Sequence, residues 1–115
     1  MKANELRIGN WVNVLDRDYE VTAVLERGIN CGLVGCLYSL VKPIPLTEEW
    51  LLRFGFENVL NVGIYRKGAL DVDYAGGLEC LSFSIIDSNY DFTIKHVHQL
   101  QNIHHALTGE ELEFK

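Results

Sequence analysis

The chain has 115 residues, 48% of them hydrophobic, with 10 Lys and Arg against 16 Asp and Glu and a formal net charge of −6. This much apolar content excludes a disordered chain, and the length fits one domain or two small lobes. The acidic balance works against non-specific binding to DNA or to anionic membranes.

No apolar run approaches the ~20 residues needed to span a bilayer. The N-terminal MKANELRIGNW lacks the apolar centre of a signal peptide, so the expected location is the cytoplasm. In a reducing compartment the odd set Cys31, Cys36 and Cys80 reads as buried thiols.

Taken in chain order, Asn4 to Gly9 is a short opening segment closed by a Gly9-Asn10 turn signal. Trp11 to Leu15 reads as a strand, Asp16-Arg17-Asp18 as a polar turn, and Tyr19 to Leu25 as the next strand. Arg27-Gly28 is a further turn. Ile29 to Leu37 is apolar, and Gly32 and Gly35 within it mark a bulge or a close backbone approach. Tyr38 to Val41 is a strand leading to Pro43. Short strands joined by tight turns predict an SH3-like curled sheet over residues 1–42.

Residues 43–58 form the predicted connector. Pro43 and Pro45 hold the preceding residues extended. Thr47 suits an N-cap, Glu48 and Glu49 suit the positive end of a helix, and Leu46 and Leu51 occupy the two positions of a hydrophobic staple. Gly55 fits the left-handed site of a Schellman ending, with Phe56 folding back on Leu51. Trp50, Leu51 and Phe54 face inward.

Residues 59–115 predict a β-meander and a helix that covers it. The expected strands are Leu60 to Tyr65, Leu70 to Tyr74, Leu81 to Ile85 and Tyr90 to Ile94. Their turns fall at Lys67-Gly68, Gly76-Gly77 and Asp87-Ser88-Asn89. From about His96 to Leu107, at about 100° per residue, Val97, Leu100, Ile103, His104 and Leu107 share one stripe. Gly109 stops the helix, and residues 110–115 read as an extended tail. The fold class is α+β, mainly antiparallel, in one compact domain.

Chemistry-bearing constellations are sparse. His96, His98, His104 and His105 offer no i, i+3 or i, i+4 pair, and His98 and His105 stand roughly 10 Å apart along a helix. Cys31 and Cys36 are spaced C-x4-C with no second pair. Asp71 and Asp73 share the wet face of a strand. No glycine cluster matches a phosphate loop, and no serine elbow is present. Arg66-Lys67 beside Tyr65 is a small basic-aromatic cluster on a hairpin tip. These patterns predict no metal, no cofactor and no catalytic group.

The candidate interaction face is the polar flank of the C-terminal helix: His98, Gln101, Asn102 and His105. It carries imidazoles and amides where a solvated helix face would carry Lys and Glu, and such groups both donate and accept. The expected contact is a partner chain, a second copy, or the N-terminal lobe. Alanine at His98, Gln101 and His105 is expected to leave the fold intact, since none lies on the apolar stripe.

Three stretches, LRIGNWV, PIPLTEEWLLRFGF and VHQLQNIHHALTGEEL, resemble a family of small uncharacterised Bacteroidetes proteins found in phage-like or mobile-element settings. The resemblance covers the chain except the hairpins between about Leu60 and Phe92. It implies a bacterial or phage-encoded origin and no catalytic residue. It also implies an aromatic pair where this chain has His104-His105. Together these readings point to a non-enzymatic accessory or adaptor protein that binds another protein. The alternative is a nucleic-acid module that uses Trp11, Tyr19 or Tyr38 as stacking platforms.

Overall fold

The structure is a computed structural model that describes residues 1–59, 64–68, 70–73, 82–85 and 91–114, with the backbone alone at 73, 82–85 and 91–93. It is mainly antiparallel α+β, as expected. The chain divides into two compact units, Met1–Ile44 with His96–Glu111, and Pro45–Lys95 with Leu112–Lys115.

The first unit holds two three-stranded sheets. In one, β1 (Trp11–Val14) lies between β2 (Arg17–Glu20) and β6 (Val41–Lys42). Val12 and Val14 alternate with half-buried Trp11 and Asn13, so one face of β1 is dry. In the other, β4 (Gly28–Cys31) lies between β3 (Ala23–Val24) and β5 (Val34–Leu37). The sheets are curled and do not close into a barrel. Leu6, Val12, Val14, Val21, Ile29 and Val41 form the shared core. Each such side chain contributes roughly 1.5–3 kcal/mol on burial.

Several boundaries differ from the sequence reading. The β1–β2 turn is Leu15-Asp16, both at positive φ (51° and 66°), and Arg17 and Asp18 belong to β2. A two-residue hairpin needs that geometry, and leucine is a poor marker for it. The expected strand Tyr19 to Leu25 is two strands, because the chain leaves one sheet for the other at Val21-Thr22. Ile29 to Leu37 is a hairpin turning at Gly32 (φ +65°), with Gly35 inside β5. Tyr38–Leu40 is a 3-10 turn rather than a strand.

The helix α2 (Val97–Thr108) belongs to the first unit. Its hydrogen bonds seat it on the segment leading into β1. Val97 and Leu100 of its stripe are fully buried, whereas Leu107 is exposed. Gly109, left-handed at φ +75°, ends it, and residues 110–114 carry no regular structure.

In the second unit, α1 (Glu48–Arg53) follows the sequence reading closely. Thr47 Oγ1 accepts from the Trp50 N–H, and Leu46 and Leu51 are both fully buried. Phe56 N–H reaches Leu51 C=O and Gly55 N–H reaches Leu52 C=O, each at 3.0 Å, which is the Schellman pair. Trp50 is half-buried and meets Phe114 of the tail, with ring centroids 4.8 Å apart.

The meander has five described strands: β7 (Glu57–Val59), β8 (Ile64–Lys67), β9 (Leu70–Asp73), β10 (Ser82–Ile85) and β11 (Asp91–Thr93), each paired with the next. The strand expected at Leu60 to Tyr65 resolves into β7 before it and β8 at its end, while residues 60–63 lie outside the described residues. So do Tyr74, the Gly76-Gly77 turn, Cys80, Leu81, the Asp87-Ser88-Asn89 turn and Tyr90. Leu70 and Val72 are buried as their alternation predicts, and Tyr65 opposite Val72 is buried with them.

Candidate interaction surface

The polar flank of α2 is occupied within the first unit. Gln101, 1% exposed, accepts from the Trp11 N–H through Oε1 and donates to the Gly9 carbonyl through Nε2, both at 2.8 Å. Its amide thus takes up a donor and an acceptor of the main chain on either side of Asn10. Asn102 Oδ1 accepts from Arg7 Nε (2.9 Å) and Asn10 Nδ2 (2.8 Å), and Asn102 Nδ2 donates to the Glu5 carbonyl. Asn10, 0% exposed, accepts the Arg7 N–H in turn. Arg7 also binds Glu111 and holds its carboxyl below the usual carboxylate range. LRIGNWV and VHQLQN therefore meet each other. Of the three contacts expected for this flank, the N-terminal lobe accounts for Gln101 and Asn102. Alanine at Gln101 is consequently not neutral for folding.

The imidazoles do different things. His104 is buried with Nδ1 3.0 Å from the Glu110 carbonyl, which can only accept, so that nitrogen carries the proton. His105 is half-exposed, 3.9 Å from Glu111. His98 is buried, its Nδ1 has no hydrogen-bond partner among the described residues, and its ring stacks on His96 at 5.9 Å between centroids. Parallel rings do not converge on one ion. Among the described residues no group of three or more His, Cys, Asp or Glu is placed to hold a metal.

Burial pushes His98 down from 6.5 to about 4, helped by the neighbouring His96 and opposed by Glu5. The unfolded chain therefore binds the extra proton first. Stability is fully present above pH 6.5 and is lost as the pH falls from there towards 4, by about 3 kcal/mol. Urea midpoints measured between pH 7.5 and 4.5 should fall accordingly, and His98→Leu should flatten the fall. An equally steep decline in that variant would assign it to other groups.

The remaining sequence candidates are engaged within their own units. Tyr65 is in the core, Arg66 Nε donates to Asp71 at 2.8 Å, and Lys67 Nζ donates to the Phe54 carbonyl at the end of α1. The basic-aromatic tip is thus tied down. Cys31 is buried as expected, but Cys36 is half-exposed, and both are free thiols. Tyr19 and Tyr38 pack against the core, and the Tyr38 hydroxyl donates to the Leu25 carbonyl.

One surface has no occupant in its unit. Leu25, Leu33, Val34, Leu37 and Leu40 are all exposed, half of the ten large hydrophobics exposed among the described residues, and all lie within residues 25–40. Leu25 (51% exposed) and Leu37 (58%) flank a depression of about 310 Å³ on the β3-β4-β5 sheet, whose lining includes Gly28, Asn30 and Gly35. Leu33, Val34 and Leu40 lie outside that lining; isolated exposed leucines need no explanation, whereas two that flank a depression mark a candidate contact surface. The sequence marks this stretch only as apolar and interrupted by Gly32 and Gly35. The missing signal is the hairpin register, which assigns alternate residues of the mostly apolar run to the outer face.

Compared with known proteins, the chain matches no family model, no curated protein and no solved structure. No helix among the described residues is long and apolar enough to cross a membrane.

Proposed function

We propose that this is a small cytoplasmic accessory protein, bacterial or phage-encoded, that acts by binding a protein chain through the outer face and edge of its β3-β4-β5 sheet. The observation that carries the reading is the pair of exposed leucines, Leu25 and Leu37, flanking a depression that Arg27, Gly28, Asn30 and Gly35 also line. The three-segment resemblance supports the bacterial setting. The nucleic-acid alternative has less support: Tyr19 and Tyr38 are packed on the core, and the net charge of −6 opposes a phosphate backbone.

Affinity capture from the native host, comparing the wild type with Leu25→Lys/Leu33→Lys, tests the reading. Both leucines are exposed, so the variant should keep its circular dichroism spectrum. The expected result is a protein held by the wild type and lost about tenfold or more by the variant. Equal capture by both, or nucleic acid as the retained species, would overturn it.

A further inference from the structure

An outer strand offers its unpaired backbone groups to another chain, and natural edges are blunted by charge. β2 carries Arg17, Asp18 and Glu20, β7 carries Glu57, and β11 carries Asp91. Both outer strands of the β3-β4-β5 sheet carry none: β3 is the two residues Ala-Val, and β5, the longer edge, reads Val-Gly-Cys-Leu.

The register decides which groups it offers. Cys31 pairs with Val34 across the two-residue Gly32-Leu33 turn, and Ile29 pairs with Cys36. The pair that closes such a turn exchanges hydrogen bonds, and successive pairs alternate. Val34 and Cys36 therefore turn their N–H and C=O towards β4. The Tyr38 N–H bonding the Arg27 carbonyl continues the alternation. Gly35 and Leu37 face outward. The Leu37 carbonyl receives the Cys36 thiol at 3.4 Å and keeps a second lone pair.

We propose that β5 pairs antiparallel with β5 of a second copy about a two-fold axis at Cys36, joining the two three-stranded sheets into one. This rests on the protein-binding reading above and names the partner. With the axis at Cys36, Gly35 of each copy pairs with Leu37 of the other, so both outward residues of both strands enter the ladder. With the axis at Gly35 or Leu37, one of these residues meets the turn at Leu33 or the 3-10 segment Tyr38–Leu40. Shape agrees: exposed Leu37 falls opposite Gly35, which has no side chain and lines the depression. Charge agrees as well, because an uncharged strand places no like charges across the seam despite the net −6.

The two Cys36 residues then form a non-hydrogen-bonded pair on the axis, with Cα atoms about 4.5 Å apart, within the range of a disulfide. The proximity serves as a reporter. Two Cys36 thiols give up two protons and two electrons to diamide, whose N=N bond is reduced to the hydrazine as the S–S bond forms. The protein for this experiment is Cys80→Ser, which leaves Cys36 and the buried Cys31. Sedimentation equilibrium should show a monomer–dimer equilibrium, and diamide should trap a covalent dimer that Cys36→Ser abolishes. Leu37→Lys and Gly35→Pro act at the outer edge and should each weaken dimerisation by about tenfold or more with the fold retained. A monomer at every concentration without a Cys36 cross-link, or a dimer unaffected by both substitutions, would overturn the pairing. If the protein is monomeric while host-protein capture still depends on Leu25 and Leu33, self-association alone falls. If that capture is absent too, both readings fall.

Discussion

Gln101→Ala is expected to lower the unfolding free energy by about 3 kcal/mol, since it removes a buried side chain and withdraws the partners of a half-buried backbone donor and acceptor. The Gln101 side chain is 1% exposed and is held at both ends, by the Trp11 N–H and the Gly9 carbonyl. Alanine also leaves a void on the helix face that meets residues 9–11. Gln101→Met separates the two effects, because methionine fills the space without restoring either hydrogen bond. Urea unfolding should place both variants well below the wild type. A methionine variant with the wild-type midpoint would show that the amide contributes only volume.

Gly28→Ala should be at least as damaging, with a loss of about 3 kcal/mol and a fall in Tm of about 10 °C. A Cβ at Gly28 would lie 2.1 Å from the Cys36 carbonyl oxygen, 2.9 Å from its carbon and 3.1 Å from the Leu37 Cα. All three are backbone atoms of β5, so no rotamer change relieves the clash, and the β4–β5 ladder has to open. Gly32→Ala is the comparison. Its Cβ meets nothing within 4 Å, and the cost there is confined to its left-handed φ of +65°. Thermal unfolding of the two variants distinguishes a strand collision from turn strain. If Gly28→Ala melts no lower than Gly32→Ala, β5 does not press on β4 as closely as this.

Local signals were legible where they are dense. The Thr47 cap, the Leu46–Leu51 staple and the Gly55 ending lie within ten residues, and each satisfies a backbone group or apolar contact of the same short helix. Alternation was legible in Leu70 and Val72, because period two survives whatever covers the face. The Leu15-Asp16 turn was not, because both residues hold positive φ without the Asn or Gly that usually marks it. Nor was the division of Ile29 to Leu37 into a hairpin, because its one polar residue, Asn30, lies within β4 and none stands at the Gly32-Leu33 turn where the chain reverses.

The flank of α2 shows the same limit for the candidate site. His98, Gln101, Asn102 and His105 stood out in the sequence because amides and imidazoles are unusual on a wet helix. That anomaly identified a contact but gave no address for it. A carboxamide meets a free N–H and C=O equally well on a partner or on its own chain, and only the tertiary fold brings Gly9 and Trp11 to Gln101 across some ninety residues.

By itself, the sequence determined the antiparallel α+β class, the central helix with its caps, the extent of α2 and the poverty of metal-ligand spacing. Each depends on periodicity or on neighbours a few residues apart, which survive in one dimension. Tertiary structure decided which unit α2 belongs to, which polar groups are consumed internally, and which leucines remain exposed at an uncharged strand edge. Those outcomes depend on long-range pairing and strand register, and a one-residue change in register exchanges the buried and exposed faces of a strand.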